Sequence, residues 1–176
     1  GYTESLVDGV VSDEGRRQQY YARMLSECQS MERLVGDLLL LSKMQNPDFL
    51  VEKEPVTLQQ VFYDIKRTAW AIADERNIEI VVNQPEEPCT MMADYVRLRQ
   101  MFVVIVDNAI KFSKDGSSIY INIEETDAIR VSIRDEGVGI TEEELPYIFE
   151  KFYKSKLRQN AKGSGLGLAI ARQICL

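Results

Sequence analysis

The longest hydrophobic pattern of the chain lies near its amino terminus. From Arg16 to Met44 there is no proline, and apolar side chains recur at every third or fourth position. They are Tyr21, Met24, Leu25, Cys28, Met31, Leu34, Val35, Leu38 and Leu41. Because this spacing places them on one face of a helix, the pattern predicts one long amphipathic helix.

A second helix is expected before it. The apolar residues Leu6, Val7, Val10 and Val11 precede the polar loop 12–15, which indicates an antiparallel partner. Two helices cannot enclose so wide an apolar stripe, so residues 1–46 are predicted to form a homodimer, with two hairpins in a four-helix bundle. The alternative is that the long helix packs on the rest of its own chain.

The remaining pattern predicts a separate α+β domain over residues 57–176, after a linker at 47–56 that contains Pro47 and Pro55. We expect helices at 57–75 and 95–112, capped by Thr57 and Asp94, and a strand at 78–82. Apolar and polar residues alternate in the segments 117–124 and 128–134, with a turn between them, which predicts a β-hairpin. A capping box at 141–144 predicts a short helix, and a last helix is expected to begin near Gly165 or Leu166.

Composition and charge exclude or disfavour several classes of function. The net charge of −7 disfavours nucleic-acid binding, and three cysteines without metal-ligand spacing favour reduced thiols in the cytosol. No apolar run is long enough to span a bilayer. The chain contains no histidine, which excludes any mechanism that needs an imidazole within it.

Five of the ten glycines lie between Gly137 and Gly167, in two clusters. The first cluster follows a predicted strand that ends before Asp135. A carboxylate there accepts hydrogen bonds, so it would favour an adenine amino group over the carbonyl oxygen of guanine. The alternative is an ordinary glycine turn that the aspartate stabilises.

The second cluster, KGSGLGL at 162–168, opens the last helix. Amide groups at a helix start favour phosphate, and glycines let phosphate oxygens approach. Neither a P-loop nor a dinucleotide fingerprint fits these residues. The nearby positive charges, Lys154, Lys156, Arg158 and Lys162, would suit phosphate, although a solvated charged loop is an equal alternative.

Polar residues also end the helix at 95–112. Asn108 and Lys111 share one face of it, and an amide in an apolar helix is costly unless it is satisfied. The amide oxygen could ligate Mg²⁺, Lys111 could meet phosphate and Phe112 could stack on a ring. The alternative is that Asn108 bonds a neighbouring backbone group.

Four motifs together carry a resemblance: DNAIKFS at 107–113, DEGVGI at 135–140, FEKFYK at 149–154 and GSGLGLAIAR at 163–172. Their order and spacing resemble the ATP-binding domain of sensor histidine kinases. GYTESLVDG at 1–9 and LLLLSKMQ at 38–45 resemble the dimerisation helices of that family. The resemblance implies an α/β sandwich of the gyrase and histidine-kinase type, and ATP and Mg²⁺ as cofactors.

The resemblance also implies a role for individual residues. Asn108 would ligate Mg²⁺, Lys111 and Lys154 would contact phosphate, Phe112 would pack on the nucleotide and Asp135 would bind the adenine amino group. The base pocket would be lined by Gly137, Gly139 and Ile140. The lid would be anchored by Phe149 and Phe152, and the phosphates would be wrapped by Gly163, Ser164, Gly165, Leu166, Gly167 and Leu168.

Two departures from the family stand out. Val104 occupies a position where relatives often have Asn, or Glu in the ATP-hydrolysing ones, so hydrolysis should be very weak and Mg²⁺ should have one side-chain ligand fewer. The second is truncation, since the resemblance places an acceptor histidine a short distance before Gly1 and closing strands after Cys175.

The expected function is therefore that of the cytoplasmic catalytic region of a sensor histidine kinase, anchored in the membrane by upstream segments. The whole protein would phosphorylate its own histidine and pass the phosphate to an aspartate in the receiver domain of a response regulator. The alternatives are a non-catalytic nucleotide sensor and, least favoured, an ATP-hydrolysing chaperone or topoisomerase module.

Overall fold

The computed structural model describes residues 13–46, 51–155 and 163–176. Helix α1 spans Glu14–Met44, strand β1 Glu54–Thr57, helix α2 Leu58–Glu75, strand β2 Glu79–Asn83 and strand β3 Thr90–Ala93. Helix α3 spans Tyr95–Phe112, strand β4 Ser118–Glu125, strand β5 Ile129–Arg134, a short 3-10 helix Leu145–Tyr147, and helix α4 Gly167–Cys175.

The predicted long helix is present as α1. It begins two residues earlier than expected, because the Asp13 side chain accepts a hydrogen bond from the Arg16 amide over 3.0 Å and caps the helix. The apolar segment expected to form the preceding helix lies outside the described residues.

The two ends of α1 differ in burial. Near its carboxyl end, Leu41 is buried against Leu166 and Ile170 of the domain that follows. Farther toward the amino end, Leu25 and Met31 are 60% and 67% exposed. The alternative of packing on the same chain therefore holds for the carboxyl end, whereas most of the apolar stripe is uncovered.

The rest of the described chain is a layer of helices on a sheet. Strands β2, β4 and β5 form one sheet, in which β2 is parallel and β5 antiparallel to β4. Every second residue of β4 is buried, namely Ile119, Ile121 and Ile123. Helices α2 and α3 cover this face, with the rings of Phe62 and Phe102 4.7 Å apart at the centre. The expected α/β sandwich is confirmed.

The predicted helices at 57–75 and 95–112 and the hairpin are confirmed with small shifts in their bounds. Asp94 caps α3 as expected, since its side chain accepts from the Arg97 amide over 3.0 Å. Thr57 precedes α2 but makes no side-chain cap. Its hydroxyl instead lies 3.3 Å from that of Thr90 on the neighbouring strand β3.

Strand β1 was not expected, because its residues fall at the end of the range assigned to a linker. It pairs antiparallel with β3, so that Val56 lies opposite Met91 and is buried in the core. Within the described residues that follow α1, regular structure therefore begins at Glu54, inside that range.

The capping box predicted at 141–144 does not open an α-helix. The Glu144 amide donates to Thr141 Oγ1 over 3.3 Å, but turns and the 3-10 helix follow in place of an α-helix. Pro146 has no amide hydrogen, so an α-helix that began after Thr141 would lack a backbone hydrogen bond in its second turn. The last helix begins at Gly167, slightly later than expected.

Among the helices that the structure describes, none has an apolar stretch long enough to cross a membrane.

Candidate functional site

A cavity of about 690 Å³ lies between α1, the carboxyl half of α3, the end of β5 and the start of α4. It brings together most of the residues that the sequence singled out. They are Asn108, Lys111, Phe112, Asp135, Gly137, Gly139, Ile140, Lys154, Gly163, Ser164, Gly165, Gly167 and Leu168. Three segments that are distant in the sequence therefore line one cavity.

Helix α3 supplies the polar side chains of one wall. Asn108 and Lys111 line the cavity from neighbouring turns, and the Lys111 Nζ lies 5.0 Å from the centroid of the Phe112 ring. Val104 lines the same wall one turn before Asn108. The wall thus offers the amide of Asn108, the carboxyl group of Asp107 and the ammonium group of Lys111, with the apolar side chain of Val104 beside them.

The carboxyl end of α3 is held by Arg76, which the sequence analysis missed. Its guanidinium group donates to the carbonyl oxygens of Ser113, over 2.8 Å, and Ile110, and it forms a 2.6 Å ion pair with Asp115. A cation at a helix carboxyl end satisfies carbonyl groups that lack partners within the helix. Arg76 follows α2 directly, and no motif indicated that its side chain would reach α3.

Asp135 follows β5 and is fixed by the backbone of the first glycine cluster. The Gly137 amide donates to Asp135 Oδ1 over 2.8 Å, and Gly137 is bridged to Ser113 in antiparallel pairing. A side chain at position 137 would place its Cβ 2.6 Å from the Phe112 carbonyl oxygen. Only glycine allows this approach, and because an ionised carboxylate accepts several hydrogen bonds, Asp135 can still accept one from a ligand.

The second glycine cluster also lines the cavity. Gly165 has a positive φ of 74°, its carbonyl oxygen accepts from the Phe152 amide over 2.9 Å, and a Cβ there would lie 2.8 Å from the Tyr153 carbonyl oxygen. A Cβ at Gly163 would lie 2.9 Å from the Lys111 Nζ. The glycine backbone is therefore close to the lysine and to the segment before Lys154.

Three predicted site residues do not line the cavity. Leu166 was expected to wrap phosphate, but its side chain is fully buried against Leu41 and Ile170. Phe149 and Phe152 are 40% and 55% exposed at the segment between the two glycine clusters. The basic residues Lys156, Arg158 and Lys162 lie outside the described residues.

The structure adds cavity residues to which the sequence analysis assigned no role in the site. Arg33 and Asp37 reach the cavity from α1, and Glu144 and Tyr153 line it beside Lys154. Burial raises the pKa of Tyr153, and the neighbouring Glu144 raises it further. In the sequence, the only signal for Arg33 and Asp37 was their spacing. They are four residues apart near the apolar stripe of α1, which places them on one face of the helix.

Two carboxyl groups of the cavity, those of Asp107 and Asp37, have raised pKa values. Burial raises the pKa of Asp107 and that of Asp37, although a hydrogen bond from Ser164 and the charge of Arg33 act against the shift at Asp37. Within the part of the chain that the structure describes, no group of three or more acidic or cysteine side chains is arranged to hold a metal ion. A magnesium ion here would therefore depend on oxygens from a phosphate ligand and water in addition to Asn108.

The residues present fit a nucleotide with phosphates. Gly139 lines the cavity, and nothing lies within 4 Å of the position that a Cβ there would take, so its backbone is open to a ligand. Among the described residues, the hydroxyl of Ser155 is buried at the cavity wall and has no hydrogen-bond partner. An acceptor such as a phosphate oxygen would satisfy it.

Comparison with known proteins agrees with the geometry. Residues 93–176 match the family described as "Histidine kinase-, DNA gyrase B-, and HSP90-like ATPase". Sensor histidine kinase WalK of Bacillus subtilis (strain 168) is 29% identical over 178 residues, which cover 98% of this chain and 29% of WalK. The chain therefore spans about three tenths of the length of this curated relative.

Solved structures extend the similarity to α1. Acinetobacter baumannii histidine kinase AdeS has a TM-score of 0.79 at 25% identity, covering 99% of this chain and 79% of the AdeS chain. Mycobacterial sensor histidine kinase MprB is 31% identical with a TM-score of 0.58, covering 69% of this chain and 77% of the MprB chain.

Proposed function

Because the chain belongs to the sensor histidine kinase family, we propose that its cavity binds ATP with Mg²⁺ and serves ATP-dependent phosphorylation of a histidine. The observation that carries this proposal is the meeting of Asn108, Asp135 and the 163–168 segment at one cavity. An amide, a carboxylate and a glycine-rich backbone suit a metal ion, an adenine and a polyphosphate, respectively.

The proposed roles follow the positions of the side chains. Asp135 would accept a hydrogen bond from the adenine amino group beside Gly137, Gly139 and Ile140. Lys111 would hold phosphate oxygens from its position near Gly163. Magnesium would supply neutralisation of phosphate charge, and Asn108 is the side chain that would hold it.

Lys154 would add a second positive charge to the phosphate end of the cavity, which it lines. Its ammonium group is a point charge, in contrast to the planar fork of an arginine, so it would attract phosphate without fixing its orientation. Phe149 and Phe152, whose rings are partly exposed outside the cavity, would act by anchoring the segment that follows them.

Val104 bears on the choice between kinase and ATPase. Its isopropyl group lines the cavity one turn from Asn108 and cannot accept a proton from water. Attack of water on ATP would therefore lack a positioned base at this point, which favours transfer to a protein acceptor over hydrolysis. This supports the kinase over a chaperone-like or topoisomerase-like ATPase.

The partners of the whole protein are also proposals. The uncovered apolar side chains of α1, among them Leu25 and Met31, support homodimerisation through residues 1–46. The acceptor histidine would come from a segment beyond this chain, which itself contains no histidine. A receiver domain of a response regulator would then take the phosphate, and attachment to a membrane would depend on upstream segments.

A non-catalytic nucleotide sensor remains the second interpretation of the same cavity. Its support is the pair of departures, Val104 and Lys154, whereas the similarity to WalK, AdeS and MprB favours a kinase. The two interpretations agree on nucleotide binding and differ in phosphate transfer.

Calorimetry and a phosphorylation assay together test the proposal. We expect ATP with Mg²⁺ to bind this chain at least roughly tenfold more tightly than GTP, because one mismatched hydrogen bond costs about 1.4 kcal/mol or more. The chain should gain no acid-labile phosphate, and a version extended upstream to include the acceptor segment should gain it. Absence of ATP binding would refute the whole proposal, and ATP binding without labelling of the extended version would support the nucleotide sensor.

A further inference from the structure

Helix α1 contributes two charged side chains to the cavity for which the proposed function has no use. Arg33 and Asp37 are four residues apart, so they lie on one face of the helix, and both line the cavity. Leu41, one turn after Asp37, is buried against Leu166 and Ile170. Packing therefore holds both charges beside the start of α4.

Asp37 contacts the glycine segment directly. The Ser164 hydroxyl donates to Asp37 Oδ2 over 3.4 Å, while its oxygen accepts from the Leu166 amide over 3.2 Å. A serine hydroxyl has one proton, so it cannot donate to Asp37 and to a phosphate oxygen at the same time. Asp37 thus occupies the donor that a phosphate at Ser164 would use.

The charge of Asp37, like this competition for the Ser164 proton, disfavours a phosphate group at this side of the cavity. A carboxylate and a phosphate are both anionic, and their repulsion is poorly screened in a partly buried site. Burial already raises the pKa of Asp37, which shows that its surroundings disfavour the charge. A nucleotide with more phosphates brings more negative charge to this side of the cavity, so the repulsion grows from ADP to ATP.

Arg33 has the opposite effect. Its guanidinium group lines the cavity one turn before Asp37, and its charge favours the ionised form of that carboxylate. It donates to the Gln29 carbonyl oxygen over 3.3 Å within α1, so its stem is held along the helix. A third phosphate would gain attraction from Arg33 while it meets repulsion from Asp37.

We propose that Asp37 is a specificity-determining residue of the nucleotide site, which lowers the affinity for ATP relative to ADP when α1 is packed against α4, and that Arg33 partly offsets it. The proposal rests on the proposed function, since it assigns a role within the same nucleotide site. It follows that removing the carboxylate charge raises the preference for the third phosphate without changing the preference for adenine.

Calorimetry with ATP and with ADP, at saturating Mg²⁺ and one ionic strength, tests this on the chain as it stands. Asp37→Asn keeps the size of the side chain and removes its charge, and Asp37→Ser is a second variant in case the first folds poorly. Glu32→Gln is the matched control, because Glu32 is exposed on the same helix, is not among the cavity residues, and its replacement changes the net charge equally.

We expect both Asp37 variants to raise the ratio of ATP affinity to ADP affinity by roughly five- to tenfold. Arg33→Gln should lower that ratio, and Glu32→Gln should leave it unchanged. An unchanged ratio in folded Asp37 variants that still bind ATP would overturn the inference and leave the proposed function intact. A wild-type chain that binds neither nucleotide would overturn both.

Discussion

Replacement of Asp135 by Asn is the most direct test of the base pocket. In the structure, Asp135 Oδ1 accepts a hydrogen bond from the Gly137 amide over 2.8 Å. An Asn side chain can keep that bond through its amide oxygen, and its NH₂ group then takes the position of the other carboxylate oxygen. An adenine amino group would meet a donor there in place of an acceptor, whereas a guanine carbonyl oxygen would find a donor.

The expected magnitude follows from the bonds that change. A hydrogen bond to a charged group contributes about 1.5 to 3 kcal/mol, so Asp135→Asn should weaken ATP binding by about 10- to 150-fold. Binding of GTP should weaken less or improve. Because the bond to Gly137 can survive, the free energy of unfolding should fall by no more than about 1 kcal/mol.

Calorimetric titration of wild type and variant with ATP and GTP measures this change in preference, and thermal unfolding monitors the fold. Asp127→Asn is the matched control, since Asp127 is exposed in the turn between β4 and β5 and loses the same charge. Equal ATP affinity in wild type and Asp135→Asn would refute the assignment of Asp135 to the adenine amino group.

Two further predictions concern the scaffold of the site. Arg76→Ala removes the hydrogen-bond donors to the carbonyl groups at the end of α3. We expect urea titration to show a loss of about 2 to 3 kcal/mol of unfolding free energy, which Arg76→Lys should partly restore. Unchanged stability of Arg76→Ala would contradict the capping role. The second concerns pH. The Tyr95 hydroxyl donates to Asp64 Oδ2 over 2.6 Å and is the main cause that lowers the pKa of Asp64 below its usual 3.8. A carboxyl group whose pKa is lower in the folded state stabilises the fold at any pH above its pKa in the unfolded state. This stabilisation is lost as the pH falls through the pKa of the folded state. In urea titrations, the unfolding free energy that Tyr95→Phe loses relative to wild type should therefore be greatest at neutral pH and shrink below pH 3.8. A loss that does not depend on pH would contradict this role of the Tyr95 hydroxyl.

The regular elements were predictable where one local signal decided them. Helix α3 begins after Asp94 because that side chain caps the first turn, and its bounds were those expected from the sequence. Strand β4 alternates partly buried and fully buried residues up to Ile123, so its sequence pattern could be recognised without knowledge of the neighbouring strands. The glycine clusters were also recognisable because they stand at element boundaries.

What the sequence missed depends on contacts between distant segments. Strand β1 is four residues long and exists because it pairs with β3, which is 33 to 39 positions away: Thr57 lies opposite Thr90 and Glu54 opposite Ala93. Arg76 reaches the end of α3 across more than 30 positions. Neither arrangement follows from local propensity, because each element is stabilised mainly by its partner.

Leu166 shows the same limit within the site. Its position between two glycines of a phosphate-binding motif favoured a role in wrapping phosphate. Its side chain is apolar, however, and in the structure it is buried against Leu41 of α1, while the polar Ser164 two residues earlier lines the cavity. The motif lies at the cavity, but the contact with α1 buries the Leu166 side chain and leaves Ser164 on the cavity wall.

Helix α3 explains why motifs so distant in the sequence form one site. At the Val104 end, a Cβ on Gly167 would lie 3.0 Å from Val104 Cγ1, so the start of α4 lies directly against α3. At the other end, Gly137 lies against the Phe112 carbonyl group. Val104 and Phe112 are separated by about 12 Å along the helix axis at 1.5 Å per residue. A Cβ on Gly163 would also lie 2.9 Å from the Lys111 Nζ, so the second glycine cluster extends along α3 from Val104 toward the end at which the first cluster lies. One ligand can therefore contact both clusters from a single cavity, as we propose for a nucleoside triphosphate.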